Sequence, residues 1–399
     1  MECSNCSSTT LRILNTVDSA ESMAITSDAQ VMEETRATRT LCEQCGCMEI
    51  HFAPMDRLRR YFQEQFNISD AVQDNLIVHA GRAVSKRDHI FASLFPQLES
   101  RLGPAGRFLE IACGRGELSR MFQKRYPTWE CIGIDPSSES PEEKADEGGK
   151  LRFIRDYFDV RRFEGMTFDL IIAHGFLNRS PVLPELLRIR SLCSRGTLLS
   201  FELLVLENSV FAPYIWDHSH MYIRDVFEAY LAHAGFTQLA RTNCVSSVHY
   251  LCECREDSHP REKMRVPAVL VENTVRRFSA HIKWWKSVLE NHKKVVITHP
   301  GDAYALFGAG LYNAVFLNLL DTNPFRLVID EIKAGTQFFS LPVLGIKEAA
   351  TVQGCRVLIC SRPEYLQVIE HKLEMGGIAY SSLIPEGKGY ESSLQWKEL

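Results

Sequence analysis

Arg107-Phe-Leu-Glu-Ile-Ala-Cys-Gly-Arg-Gly116 is an apolar run that ends in two glycines one residue apart. Phe108, Leu109 and Ile111 read as a buried strand. At Gly114 and Gly116 the missing β-carbon permits a tight turn and lets a ligand lie against the backbone. The pattern predicts a helix over Glu117 to Arg125. Glu130-Cys-Ile-Gly-Ile-Asp135-Pro136 then reads as a second short strand ending in a carboxylate, about 20 residues beyond the glycines, where Rossmann-like sites place an acceptor for ribose hydroxyls. A glycine turn and a placed carboxylate together predict a nucleotide loop. Ala112 stands where a first glycine is commonest, and Leu118-Ser119 replaces the third, so the loop lacks the full pattern that seats a pyrophosphate on a helix N-terminus.

Outward from this stretch the alternation is strand, helix, strand, as in a doubly wound sheet. Leu151 to Phe158 gives a third strand and a turn, with Asp156 and Tyr157 at its end. Phe168-Asp-Leu-Ile-Ile-Ala-His174 gives a fourth, and His174 stands at its carboxyl end, where ligands lie in open parallel sheets. A helix over Val182 to Leu192, a strand over Gly196 to Leu203 and a helix over Ile223 to Ala234 follow. Asp217-His218-Ser219-His220 falls in the loop before the last of these, and Glu202 reads as a structural acid at a strand end. On the N-terminal side the spacing of Leu58, Tyr61, Phe62, Phe66, Val72, Leu76, Ile77 and His79 predicts helix between Met55 and Ile90, and Phe91 to Leu102 predicts another.

After Cys254 a charged, turn-rich linker, Arg-Glu-Asp-Ser-His-Pro-Arg-Glu-Lys, leads to a long amphipathic helix over about Val271 to Asn291. A second α/β unit follows. Ala303 to Gly310 is again a strand and a glycine turn, Leu311 to Leu320 is helical, and Arg326-Leu-Val-Ile-Asp330 ends in a carboxylate. Gly354 to Cys360 and Ala379 to Pro385 continue the alternation. The expected class is therefore α/β, with two Rossmann-like domains behind a small zinc-binding module. The expected divisions are 1–54, a helical linker at 55–100, a nucleotide-binding domain at 101–255, and a linker helix with a C-terminal domain at 256–399.

The module at the start rests on Cys3-Ser-Asn-Cys6 and Cys42-Glu-Gln-Cys45. Two CxxC knuckles offer four thiolates, enough to close a tetrahedral zinc site with no open position for water, so such a metal is structural. Cys47 is a possible substitute ligand. With 13 cysteines among 399 residues, a net charge of -5 and 45% hydrophobic residues, the chain reads as an ordinary soluble protein with reduced thiols. The charge gives no clustered basic surface for a polyanion, which argues against nucleic acid as substrate. No window reaches the length of a membrane span and Met1-Glu2-Cys3 does not open a signal peptide, so a cytoplasmic monomer or homodimer is the expectation.

The segments F-L-E-I-A-C-G-R-G, C-I-G-I-D-P and F-D-L-I-I-A-H resemble the first, second and fourth motifs of class I S-adenosylmethionine-dependent methyltransferases, whose cofactor carries no phosphate. The resemblance implies that Glu110 and the backbone of Ala112, Gly114 and Gly116 hold the methionine part, that Asp135 takes the ribose hydroxyls, and that Asp156 and Tyr157 lie by the adenine. His174 is a candidate for lining the same pocket. The whole layout further resembles the methyltransferases that place a carbon-bound methyl on nucleotide-linked 4-keto deoxysugars. Its echoes are the CxxC pairs, Val78-His79-Ala80, Asp156-Tyr157-Phe158, Tyr214 to His218, Phe307 to Gly310, Ile329-Asp330, Lys333-Ala-Gly335 and Leu341-Pro342-Val343. By that likeness Gly308, Gly310, Asp330 and Lys333 contact a nucleotide sugar.

Methylating a carbon beside a ketone requires removal of an α-proton, an enolate, and alignment with the sulfonium methyl. A neutral imidazole suits that proton near pH 7. In the family a Glu-His pair does this work, which implies His218 as base and Asp217 as its partner here. Ile215 replaces the family's tyrosine, leaving Tyr214 and Tyr222 as candidates. The stretch Tyr61 to Asn67 and the segment Val245 to His249 also depart from the family's pattern. Two rival readings are an O- or N-methyltransferase using His218 or His220, and a scaffold that has lost activity.

Overall fold

The computed structural model describes residues 2–14, 24–25, 31–32, 37–52, 59–65, 76–79, 82–137, 149–215, 217–243, 247–255, 263–320, 322–352, 354–361 and 363–385. Phe66, Asn67, Val245 and most of the 255–263 linker lie outside them. The chain forms two compact units. One comprises Met1–Leu14, Ala37–Ile77 and Val84–Arg276; the other comprises Asn15–Arg36, Val78–Ala83 and Arg277–Leu399.

The first unit is built on a seven-stranded sheet. Its strands are β1 (Arg107–Ile111), β2 (Glu130–Ile134), β3 (Leu151–Ile154), β4 (Phe168–His174), β5 (Cys193–Leu204), β6 (Phe236–Asn243) and β7 (Ser247–Cys254). The order across the sheet is β3-β2-β1-β4-β5-β7-β6. Pairing is parallel from β3 to β5, whereas β7 runs antiparallel to both β5 and β6. The inner strands are buried on both faces, which explains their nearly unbroken apolar runs. Leu94 and Leu98 from one helix and Leu118, Phe122 and Trp129 from the next connection pack on Phe108, Leu170, Ile172 and Leu198. The strand order reverses between β1 and β4, and at that point an open α/β sheet leaves a crevice at its carboxyl ends.

A smaller sheet joins Leu11–Leu14, Ala37–Cys42, Met48–Phe52 and the two-residue strand His220–Met221. Its last member arrives from far along the chain and pairs antiparallel with Met48 and Glu49.

The second unit holds a six-stranded sheet in the order Gln337–Phe338, Leu341–Leu344, Phe325–Ile329, Ala303–Phe307, Cys355–Ile359, Tyr380–Ser382. All pairings are parallel except the first. Ala305, Leu327, Ile329, Val357 and Ile359 form its core with Ile369 and Leu373 from the helix Pro363–Met375. Two parallel-stranded α/β sheets and a four-cysteine cluster near the N-terminus together bear out the expected fold class.

Three local expectations are corrected. Leu76–His79 and Arg82–Ser85 are paired strands and not helix; the run Leu-Ile-Val with Gly81 close behind suits extended backbone better than its spacing suggested. The helix expected from Phe91 spans Lys86–Glu99 instead. The connecting helix runs over 31 residues, Ala268–Thr298, longer at both ends than its apolar spacing implied. Among the described residues no helix is long and apolar enough to cross a membrane.

Candidate active site

The turn after β1 gathers the first group of candidate residues. Ala112 takes φ 58, Gly114 φ 53 and Gly116 φ 72, three left-handed residues within five positions. Ala112 carries a β-carbon in that region at a cost of about 1–2 kcal/mol, which accounts for glycine being the commoner residue there. At Gly116 a β-carbon would come 2.1 Å from Phe153 Cε1. The ring of Phe153, on β3, thus presses on the turn and holds it against the sheet.

Gly116 is also the N-cap of the helix Glu117–Arg125, and it has no side chain to satisfy the exposed N–H groups. Glu110 does this from the adjoining strand: its carboxylate accepts from Ser119 N at 2.9 Å and from Ser119 Oγ. Burial pushes the Glu110 carboxyl up to about 7, and the two bonds from Ser119 partly oppose that shift. Asp135, at the end of β2, accepts from Gly114 N at 3.0 Å and from Ser137 N at 2.8 Å. The carboxylate therefore clamps the glycine turn of one strand to the end of the next.

Asp156 accepts from Tyr157 N at 2.8 Å and is paired with Arg162. The Tyr157 hydroxyl donates to Arg59 O at 2.7 Å. On the other side of the strand reversal, His174 Nε2 lies 2.8 Å from Ser200 Oγ and 3.0 Å from His249 Nε2. Ser200 carried no assigned role in the sequence, and His249 only closed the segment Val245 to His249, where a different polar contact from the family's was expected. A period of two along β5 puts Ser200 on the face of Glu202, whose register partners are His174 and His249.

The loop at 217–220 is buried. Asp217 is fully enclosed and accepts from Arg179 Nε at 3.4 Å, while Arg179 donates to Gly175 O and lies over the Phe62 ring. Arg179 had no signal in the sequence beyond its charge. His218 N donates to Ile215 O. His220 is held at both nitrogens, by Ser219 Oγ at 2.8 Å and Ser4 Oγ at 2.9 Å, and burial pushes its pKa down to about 3. Tyr222 is fully buried and donates its hydroxyl to Leu177 O at 2.6 Å.

Cys3, Cys6, Cys42 and Cys45 place their sulfurs within 4.8 Å of one another and are, among the described residues, the one group able to hold a metal ion. The Cys3–Cys45 and Cys6–Cys42 contacts of 3.7 and 3.6 Å match the edge of about 3.8 Å that a tetrahedron with metal–sulfur bonds of about 2.3 Å requires. Cys47 is buried with its thiol toward Met48 O and is not among the four. The first knuckle also supports its surroundings. Asn5 Oδ1 accepts from Leu183 N at 2.8 Å at the start of the helix Val182–Arg190, and Glu49 accepts from Ser4 N at 2.9 Å.

The second unit repeats the carboxylate clamp. Asp330 accepts from Ala309 N at 2.9 Å, as Asp135 does from Gly114, and both bonds span 21 residues. Its other oxygen accepts from Ile332 N and Lys333 N. Gly308 takes φ 96, and Gly310 is the extended N-cap of the helix Leu311–Asn318.

Residues 83–241 match the family described as a methyltransferase domain. That span of the chain is a methyltransferase domain. Curated proteins give no match to the chain. Similar solved structures include an S-adenosylmethionine-dependent methyltransferase from Clostridium acetobutylicum, 15% identical over 43% of this chain and 98% of that one, at a TM-score of 0.32. The 1,6-didemethyltoxoflavin-N1-methyltransferase of Burkholderia thailandensis is 15% identical over 57% of this chain and 98% of that one, at 0.40. A Methanosarcina mazei methyltransferase is 17% identical over 41% and 99%, at 0.32. These likenesses are to the methyltransferase fold and say nothing of the acceptor.

Proposed function

We propose that this methyltransferase places a methyl group on carbon, beside the ketone of a nucleotide-linked keto sugar, through an enolate. The observation that carries the reading is the docking of the Asp217 to Met221 segment onto the four-cysteine module: His220–Met221 is a strand of that module's sheet. An α/β unit with its own glycine turn and carboxylate clamp completes the three-part layout of the family that the sequence resembles.

In this reading Glu110 and the backbone at Ala112, Gly114 and Gly116 hold the amino-acid part of S-adenosylmethionine. Asp135 takes the ribose, and Asp156 and Tyr157 border the adenine. The fit has physical support. A buried carboxyl raised to about 7 gains a partner when an ammonium group meets it, and left-handed residues open the backbone at the turn. Bound there, the cofactor supplies an electrophilic methyl. His218 takes the α-proton, Asp217 with Arg179 fixes the loop, and Gly308, Gly310, Asp330 and Lys333 meet the nucleotide. Zinc in the four-thiolate cluster holds the module together.

The test is incubation with S-adenosylmethionine and a panel of nucleotide-linked keto sugars, with carbon NMR of the product. A new methyl on carbon supports the reading, and a methyl on oxygen or nitrogen overturns it. His218→Asn should abolish solvent exchange of the α-proton while S-adenosylhomocysteine binding stays within about twofold; unaltered exchange removes His218 from the role.

A further inference from the structure

His174, Ser200 and His249 bring three hydrogen-bonding atoms to one point. Ser200 Oγ lies 2.8 Å from Nε2 of each histidine, the two Nε2 atoms are 3.0 Å apart, and the rings meet edge to face at 83°. Ser200 is fully enclosed and His249 nearly so, while His174 is only partly buried. Three strands supply them, β4, β5 and β7: His174 and His249 flank Glu202 in one lateral row, and Ser200 stands two residues before Glu202 on the same face of β5.

A neutral imidazole has one N–H and one lone pair. Two Nε2 atoms at this distance repel if both bear protons or both bear lone pairs, so the rings must hold opposite tautomers. The serine hydroxyl closes the path: one Nε2–H donates to Ser200 Oγ, and the Ser200 hydroxyl donates to the other Nε2. When a proton is added to the ring whose Nε2–H faces Ser200, moving two protons along the path carries that charge to the other ring, so the pair shares one added proton. Such a linked network polarises as a unit.

We propose that His174, Ser200 and His249 form a proton relay, with His174 the member that exchanges a proton with the acceptor's oxygen. Its position supports that role, because His174 ends β4 beside the strand reversal where ligands lie in sheets of this kind. This deepens the keto-sugar reading and rests on it. While the α-carbon gives its proton to His218, the ketone oxygen receives the added proton from His174, which returns from imidazolium to neutral imidazole, and the C–H pair becomes the enol double bond. As that pair closes on the transferred methyl, the enol oxygen returns its proton to His174 and the carbon–sulfur pair stays on sulfur. One proton, held by His218, is left for solvent.

The first arm of the test needs no acceptor. The full chain, labelled with nitrogen-15 histidine and saturated with S-adenosylhomocysteine, is titrated by NMR. Histidines that share a proton titrate as a coupled pair. The expected result is that Ser200→Ala and His249→Asn each move the His174 midpoint by about one pH unit. An unmoved midpoint in both variants means two merely packed histidines and overturns the relay. The second arm uses the keto sugar found by the panel. His174→Asn should slow α-proton exchange at least about 100-fold and Ser200→Ala should lower kcat about tenfold with an altered pH profile, general acid–base groups contributing on this order. Exchange and pH profile equal to the parent in both overturn it. If the panel yields no C-methyl product, the keto-sugar reading fails and the NMR arm alone decides the relay.

Discussion

Ser4 Oγ lies 2.9 Å from His220 Nε2, although 216 positions separate the two residues. Ser4 sits between the first two cysteines of the cluster, and His220 follows Asp217 and His218 by three and two positions. The backbone adds to the link, since Ile50 N donates to Ser219 O at 2.9 Å and Tyr230 donates its hydroxyl to Cys45 O at 2.8 Å.

The metal content of the cluster should therefore govern the order of this loop. Purified protein is expected to hold one zinc per chain by elemental analysis, and Cys42→Ser to hold less. Hydrogen exchange across 217–221 should rise at least about tenfold on chelation, because metal binding and folding are coupled in sites of this kind. Unchanged exchange in demetallated protein would separate the module from the loop.

Glu110 gives a pH dependence with a definite sign. Its folded-state value of about 7 lies above the ordinary 4.5, so between those values the native protein holds a proton that the unfolded chain has lost. Stability then falls as pH rises through that window. Binding of an ammonium group favours the carboxylate, so affinity for S-adenosylhomocysteine should increase from pH 6 to 7.5 by several-fold, approaching tenfold per unit below the pKa. Calorimetry should show this dependence flattened in Glu110→Gln.

Gly116 and Phe153 should be energetically coupled. Gly116→Ala combines a left-handed alanine with a collision on the Phe153 ring, and should cost about 2–4 kcal/mol in denaturant unfolding. In a Phe153→Ala background only the backbone part, about 1–2 kcal/mol, should remain. Simple additivity in the double-mutant cycle would show that the ring is not what fills the space above the turn.

Asp217 has no exposed surface, and Arg179 reaches it with only part of its own side chain in solvent. Removing the cation alone leaves a buried carboxylate without its ion pair, so Arg179→Met should destabilise the protein by about 3 kcal/mol. Asp217→Asn in the same chain should recover part of that loss, and a double variant less stable than Arg179→Met would show that Asp217 does not depend on the cation.

The elements around the glycine turn after β1 were legible in the sequence because their determinants are local. Phe168–His174 and Glu117–Arg125 fall where the apolar pattern put them, and the tight turn followed from glycines whose φ values are indeed positive. The CxxC spacing likewise identified four sulfurs that converge. What failed was the segment before the sheet, where apolar residues at spacings of three and four suggested helix for Leu76–His79 and Arg82–Ser85. Strand pairing depends on a partner that periodicity does not show.

By itself the sequence determined the two α/β sheets, the glycine turn with its Asp135 partner and the four-cysteine cluster, since each is written in residues close together or in a repeating spacing. Only the tertiary structure decided that Glu110 caps the helix after Gly116, that Arg179 meets Asp217, that Ser4 holds His220, and that His174, Ser200 and His249 share one point. Those relationships join residues up to 216 positions apart, and hydrogen bonds of about 3 Å depend on where separate strands end in space, which no local pattern records.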